Sequence, residues 1–319
     1  MELPAALRAA VDRTLEGVPL AELQRAADTL SRRYRAEVRD GRLHLSDEMF
    51  ARAYLATRLP ATFAAVRASL ESAAELIPDF APKTLLDVGA GPGTALWAAA
   101  DCWPSLASAR MLEASASIRK VGESLSAHAG LERVEWTSAD ASKAIEAGKA
   151  DLVTLAYVLD ELSPAEGLAL VERLWAATDG LLVIVEPGTP AGWKRVMAVR
   201  ALLIERGARL VAPCPHSKPC PLAEPDWCHF SRRVARSRLH RLTKRGDVPW
   251  EDEKYIFVAA ARQPAESFDA RVLAPARGGS GKVDLKLCLA DGSAEQRLLT
   301  KRDGDLFKRA RRAGWGDIL

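Results

Sequence analysis

No run in the sequence stays apolar for the roughly 18 residues a membrane-spanning helix needs. The stretch from Met1 to Val18 carries Glu2 and Asp12 where an export signal would carry a basic head and an apolar core. Neither insertion nor export is expected, so no membrane partner is expected either. Cysteine is scarce and odd in number: there are five, four of them after residue 210. Without a secretory context this excludes a disulfide framework and favours metal binding or thiol chemistry in a reducing compartment. No internal repeat is present, and the ordinary balance of apolar and charged residues removes wholesale disorder and collagen-like or coiled-coil chains. A large charge of one sign is also missing. Lys and Arg number 45 against 42 Asp and Glu, and a net charge of +3 is too mild to name a partner.

What is present describes a folding chain, with 48% hydrophobic and 27% charged residues. At 319 residues it exceeds one ordinary core, and a main domain of about 200 residues with appendages is expected. Residues 1–80 read as a helical N-terminal region, because Leu20, Leu23, Ala26 and Leu30, then Phe63, Val66, Leu70, Ala74 and Ile77, recur at helical spacing. Ser46, Asp47 and Glu48 make a helix start, and Pro78 and Pro82 bracket the exit. From Thr84 the period changes. Thr84 to Val88 reads as a strand, residues 89–93 as a glycine turn, and Thr94 to Asp101 as a helix. Further strands are expected at 109–112, 134–137, 152–156, 181–185 and 255–260, alternating with helices as in a parallel sheet covered on both faces. The fold class is therefore α/β. Residues 81–263 form a Rossmann-like domain with a Cys-rich insertion at 211–230, and residues 264–319 form a small β appendage that ends in a basic helix.

The turn Asp87-Val-Gly-Ala-Gly-Pro-Gly93 lets backbone approach a ligand without interference from Cβ atoms. Its spacing fits a dinucleotide fingerprint poorly: the sixth position counted from Gly89 is Thr94, and from Gly91 it is Leu96. Glycines at every second position behind an acid resemble the first motif of class I S-adenosylmethionine-dependent methyltransferases. By that resemblance Asp87, Gly89, Gly91 and Gly93 face the methionyl end of the cofactor, Glu113 after the second strand meets the ribose hydroxyls, and Asp140 contacts the adenine. Asp160 and Glu161 follow the fourth strand, where substrate-facing residues of that class usually lie. A polar start to the helix near Ser163 explains them equally well. No Asn-Pro-Pro-Tyr or Asp-Pro-Pro-Tyr motif is present, and no cysteine reads as a nucleophile toward an RNA cytosine. The sequence leaves catalysis open.

Cys214, Cys220 and Cys228 are separated by five and seven residues, and Cys288 follows after 59 more. Prolines follow Cys214 and Cys220, His216 and His229 are close, and large apolar side chains are few, so metal ligation is favoured over unrelated buried thiols. The residues alone do not separate zinc from an iron–sulfur centre. From Ser231 to Arg245 there are seven basic residues and no acid: Arg232, Arg233, Arg236, Arg238, Arg241, Lys244 and Arg245. Read as a helix, this segment has an apolar stripe of Val234, Ala235, Leu239 and Leu242 and a cationic remainder suited to phosphates. A second stretch, Arg297 to Arg312, has seven basic residues against Asp303 and Asp305.

Residues 155–162, 182–188, 214–220 and 226–231 (LAYVLDEL, LVIVEPG, CPHSKPC and DWCHFS) together resemble the methyltransferase-like assembly factors of the small ribosomal subunit, from about Leu85 to the C-terminus. The resemblance implies S-adenosylmethionine as cofactor and a [4Fe–4S] cluster on Cys214, Cys220, Cys228 and Cys288 in preference to zinc. It leaves Cys102 as a core thiol. It also implies the small ribosomal subunit and its rRNA as partners of a monomer in the bacterial cytoplasm. Methylation of rRNA, or assembly without catalysis, are the two activities it leaves; a small-molecule methyltransferase would leave both basic stretches idle.

Overall fold

The computed structural model describes residues 1–36, 45, 47–143 and 148–319. The N-terminal region is helical as expected, with α1 (Ala5–Leu15), α2 (Leu20–Arg35), α3 (Glu48–Thr57) and α4 (Leu59–Ala74). Asp47 caps α3, its carboxylate accepting the Phe50 N–H at 2.9 Å; Ser46, part of the expected start, lies outside the described residues. α4 has apolar residues around most of its circumference, so it is a core helix. Its Phe63, Val66 and Leu70 are buried, and it packs on the sheet that follows.

That sheet is built from β1 (Thr84–Val88), α5 (Thr94–Cys102), β2 (Ser108–Leu112), α6 (Ala116–Ser126), β3 (Arg133–Thr137), β4 (Ala150–Ala156), α7 (Pro164–Ala177), β5 (Thr178–Pro187), α8 (Pro190–Glu205), β6 (Arg209–Ala212), β7 (Phe230–Ala235), α9 (Arg238–Lys244) and β8 (Trp250–Ala261). The strand order is β3-β2-β1-β4-β5-β8-β6. β1 to β5 run parallel, and β8 is antiparallel to β5, β6 and β7. β1 and β4 are neighbours although β2 and β3 separate them in the chain, so the order reverses there and leaves a crevice at the carboxyl ends of those strands. This is the methyltransferase variant of the Rossmann-like sheet. All six expected strands are found.

The expected basic helix through residues 232–245 is not. Arg232 and Arg233 lie on β7, and the helix is only α9. The ladder pairs Arg232 with Glu253 and Arg233 with Asp252, so an acidic partner strand draws the basic segment into the sheet. The expected stripe fails with it: Ala235 and Leu242 are exposed, while α9 buries His240 and Thr243.

The appendage is a second sheet of β9 (Ala270–Val272), β10 (Arg277–Gly279), β11 (Lys282–Leu289) and β12 (Ala294–Thr300), followed by a 3-10 turn at Lys301–Asp303 and the basic helix α10 (Gly304–Ala310). Period-two alternation on β11 buries Val283, Leu285 and Leu287, which form a small core of their own with Val272, Leu299 and Phe307. Among the described residues no helix is long and apolar enough to cross a membrane.

Candidate cofactor site and cysteine pocket

β1 is the middle strand of the switch point, and its Leu85, Leu86 and Val88 are buried. Asp87 is buried with them at 2% exposure. One carboxylate oxygen accepts the Thr154 hydroxyl at 2.7 Å across the β1–β4 ladder; the other is buried and has no hydrogen-bond partner among the described residues. Burial pushes the Asp87 carboxyl up to about 7, the Glu113 charge adds to this, and the Thr154 bond opposes it. Beyond Val88 the chain turns through Gly89, Gly91 and Gly93 at φ +67°, +54° and +83°, a region that L side chains rarely adopt. A Cβ at Gly89 would strike Val158 at 2.3 Å, whereas one at Gly91 would enter open space. Gly91 is therefore the glycine that leaves room for a ligand, and Gly89 is required by packing. Glu113 accepts the Gly91 N–H at 2.9 Å and the Ser115 N–H at 2.8 Å, so it already braces the turn, and burial raises its carboxyl.

The space over this turn is a cavity of about 800 Å³. Its lining includes Gly89, Gly91, Glu113 and Asp140, then Tyr157, Asp160 and Glu161, and from the N-terminal region Tyr34, Tyr54 and Arg58. Asp140 is half exposed, and its hydrogen bonds to the Ser142 N–H and hydroxyl hold it below the usual range. Glu161 is pushed up to about 8, first by burial, then by Asp160 and Glu113, with Arg33 opposing. The N-cap of α7 is Ser163, which forms a capping box with Glu166, so Asp160 and Glu161 lie ahead of the cap and do not supply it.

The roles of several other groups in or behind this wall needed the fold. Tyr157 has a left-handed φ of +59°, and its hydroxyl donates to Glu253 at 3.0 Å. Arg58, between α3 and α4, also pairs with Glu253 at 3.1 Å, tying the helical roof to β8. Glu186 at the end of β5 is fully buried, accepts the Leu159 N–H at 3.1 Å and pairs with Arg195 at 2.8 Å. Its position after the run Leu182 to Val185 was visible, but its role needed the fold.

The four cysteines after residue 210 line one narrow cavity together with His216 and Arg271. Cys214, Cys220 and Cys228 come from the loop between β6 and β7, and Cys288 comes from β11. Cys228 and Cys288 are buried and the other two half-buried. Burial raises the Cys214, Cys228 and Cys288 thiols, and neighbouring thiols add to this, while nearby arginine charge pulls them down. The His216 ring nitrogen Nε2 stands 3.5 Å from the Cys288 sulfur. Room for about 20 Å³ is left among these side chains, which suits one water-sized occupant. Among the described residues no three His, Cys, Asp or Glu side chains stand as a ready metal-ligating set. The donor chemistry nevertheless fits a thiolate-bound metal: the Arg200 Nε and one terminal nitrogen of Arg271 are buried beside the thiols without an acceptor. Cys102 lies apart, near the Arg67 carbonyl, as a half-buried thiol pushed up to about 12.

Of the seven basic residues assigned to RNA, five are in ion pairs. Arg232 pairs with Glu71, Arg233 with Asp252, Arg236 and Lys244 with Glu251, and Arg245 with Asp28. Arg238 and Arg241 have no carboxylate partner among the described residues. The C-terminal stretch is less paired. Arg297 meets Glu295 and Lys308 meets Asp305, whereas Lys301, Arg302, Arg309 and Arg312 are exposed and unpaired among the described residues.

Sheet, glycine turn and cavity define a class I methyltransferase-like domain with a cysteine pocket attached. Residues 48–319 match the family model described as mitochondrial small ribosomal subunit Rsm22, and the chain belongs to that family. It is 31% identical over 285 residues to the human mitochondrial ribosome assembly protein METTL17, covering 83% of this chain and 61% of that protein. It is 23% identical to the Rsm22-cox11 tandem protein 2 of Schizosaccharomyces pombe, of which it spans 42%. Among solved structures it is similar to an O-methyltransferase family protein from Burkholderia thailandensis, with a TM-score of 0.47, 16% identity and coverage of 77% and 72% of the two chains. A magnesium protoporphyrin IX methyltransferase from Synechocystis with bound S-adenosylmethionine aligns with a TM-score of 0.41 at 14% identity, covering 77% of this chain and all of that one.

Proposed function

We propose that this protein is an S-adenosylmethionine-binding, methyltransferase-like factor that acts on the small ribosomal subunit. Family membership carries the reading, because its relatives include a ribosome assembly protein. The cavity supports the cofactor. Asp87, Glu113, Asp160 and Glu161 gather carboxyl groups in or beneath it, with those of Asp87, Glu113 and Glu161 raised by burial, and a ligand with an ammonium and a sulfonium group would favour their ionised forms. Asp87 and the Gly91 backbone would hold the methionyl end, Glu113 the ribose and Asp140 the adenine edge. When bound, the cofactor supplies an electrophilic methyl group. Asp160 and Glu161 would then orient an acceptor, and Glu161, with its carboxyl raised to about 8, is placed to take a proton near neutral pH.

Cys214, Cys220, Cys228 and Cys288 would hold a metal centre. The family resemblance favours [4Fe–4S], and the small room between the thiols favours a single zinc ion, so iron and sulfide analysis of anaerobically purified protein separates them. Docking on rRNA is assigned to both basic stretches, with the unpaired cations Arg238, Arg241, Arg309 and Arg312 carrying it. The site of action is the cytoplasm, and the working unit is a monomer. Co-sedimentation with immature small subunits over a salt series tests the reading: association that weakens with salt is expected, and none at low salt would refute it. Incubation with labelled S-adenosylmethionine then separates the activities, since label in rRNA means methylation and association without label means an assembly factor that does not catalyse.

A further inference from the structure

We propose that Arg200 and Arg271 are the built-in counter-charges of an anionic metal–thiolate centre; the inference rests on the reading that the four cysteines hold a metal. Arg271 lies on β9 directly opposite Cys288 in the β9–β11 ladder, and its side chain is 2% exposed. It donates to the Pro213 carbonyl at 2.9 Å and the Gly316 carbonyl at 2.7 Å, and it stacks on Phe268. Its remaining terminal nitrogen is buried with no acceptor. Arg200, on α8, is 4% exposed. It donates to the carbonyls of His216 and Lys218 at 2.8 and 2.7 Å, which pins the cysteine loop; its Nε is buried without a partner among the described residues, and the guanidinium is close enough to Cys214 to lower that thiol.

Neither guanidinium has a carboxylate within ion-pair distance among the described residues; Glu75 and Asp317 act on Arg271 only from farther away. Burying an unpaired cation is costly, and carbonyl bonds leave its charge uncompensated. Two such cations converge on one cavity that holds four cysteines. Four thiolates around a doubly positive core, whether a zinc ion or an oxidised [4Fe–4S] cube, carry two net negative charges, which is what two guanidinium groups neutralise. The orphaned N–H groups then gain sulfur acceptors. One cation comes from the Rossmann-like sheet's α8 and the other from the appendage, so the same charges clamp the two parts together around the centre.

The test compares anaerobically purified wild type with Arg271→Gln, Arg200→Gln and Arg271→Lys. Three quantities are read: the rate of metal loss to a chelator, the midpoint potential where the centre is iron–sulfur, and the melting temperature of the metal-free protein. Loss of an outer partner of this kind weakens metal holding by about 10–100-fold. Faster metal release by that order is expected in both Gln variants. A more negative potential is expected as well, because removing a nearby positive charge disfavours the reduced cluster. Arg271→Lys, which keeps the charge, should lie near wild type. A purely structural arginine would instead lower the melting temperature of the metal-free protein and leave release and potential unmoved, and that result overturns the inference. If one Gln variant fails to fold, the other and Arg271→Lys decide it. Wild type that binds no metal at all would overturn the metal reading itself, an outcome distinct from metal held equally well by wild type and variants.

Discussion

The two cavities are electrostatic opposites. Over the glycine turn the buried titratable groups are mostly carboxyls, and Asp87 and Glu161 are pushed up to about 7 and about 8. In the cysteine pocket the buried formal charge is positive, on Arg200 and Arg271, and the thiols are held neutral by burial. The proposed ligands match the contrast: a cationic cofactor in the first cavity and an anionic metal–thiolate centre in the second. Burial sets both environments: it raises the carboxyls of one cavity and the thiols of the other, while the two arginines beside the thiols have no carboxylate at ion-pair distance among the described residues.

The largest effect expected from breaking this contrast is at the cysteines. Replacing any one of Cys214, Cys220, Cys228 or Cys288 by Ser should abolish stoichiometric metal, because the ligand set is then incomplete, while Cys102→Ser should retain it. Elemental analysis of the five variants checks this. A metal-bearing Cys288→Ser beside a metal-free Cys102→Ser would reverse the assignment.

The next effect is a pH dependence at Asp87. Its folded-state carboxyl lies near 7 against an ordinary 3.8, so the folded chain binds the proton more tightly than the unfolded one. Stability from this group is present below about pH 4 and is lost as pH rises through about 7. In the cofactor-free protein, Asp87→Asn should leave low-pH stability unchanged and add up to ~4 kcal/mol above pH 7. Denaturant melts at pH 4.5 and 8 should show the gap widening with pH; a variant less stable than wild type at pH 8 would contradict it.

Glu113→Ala removes the acceptor of two loop N–H groups and the expected ribose contact. A loss of about tenfold or more in S-adenosylmethionine affinity follows from hydrogen bonds to a charged group worth roughly 1.5–3 kcal/mol, and calorimetry measures it. The smallest effect concerns the two basic stretches. Arg309→Glu with Arg312→Glu should weaken association with small subunits and flatten its log–log salt slope by about 0.7–0.9 per lost phosphate contact. Arg236→Glu, by breaking the Glu251 ion pair, should act on stability instead. Equal salt slopes in all variants would leave both stretches as solvated faces.

Much of the fold was legible because its signals are local. The apolar run at β1, the glycines after it and the alternation on β11 each declare an element within a few residues. β7 was not legible, because its basic run looks like a helix face until the acids of β8, some twenty positions on, are seen to pair with it. The cavity's glycine end could be read from spacing, whereas Arg58, Tyr157 and Glu253 meet only through the tertiary fold. Arg271 did leave a trace, as a lone charge inside the apolar run Ala270 to Leu273. Its meaning depended on finding Cys288 across the ladder.

The most direct test of the account is a calorimetric titration of S-adenosylmethionine into wild type and Gly91→Val, with NADH as a control ligand and melting curves to verify folding. Gly91 has open space where a Cβ would stand, so the valine methyls should occupy the cofactor's room. Wild type should bind one S-adenosylmethionine per chain and no NADH, and a folded Gly91→Val should bind neither. Absence of binding in wild type, preference for NADH, or undiminished binding by Gly91→Val would contradict the assignment of this cavity.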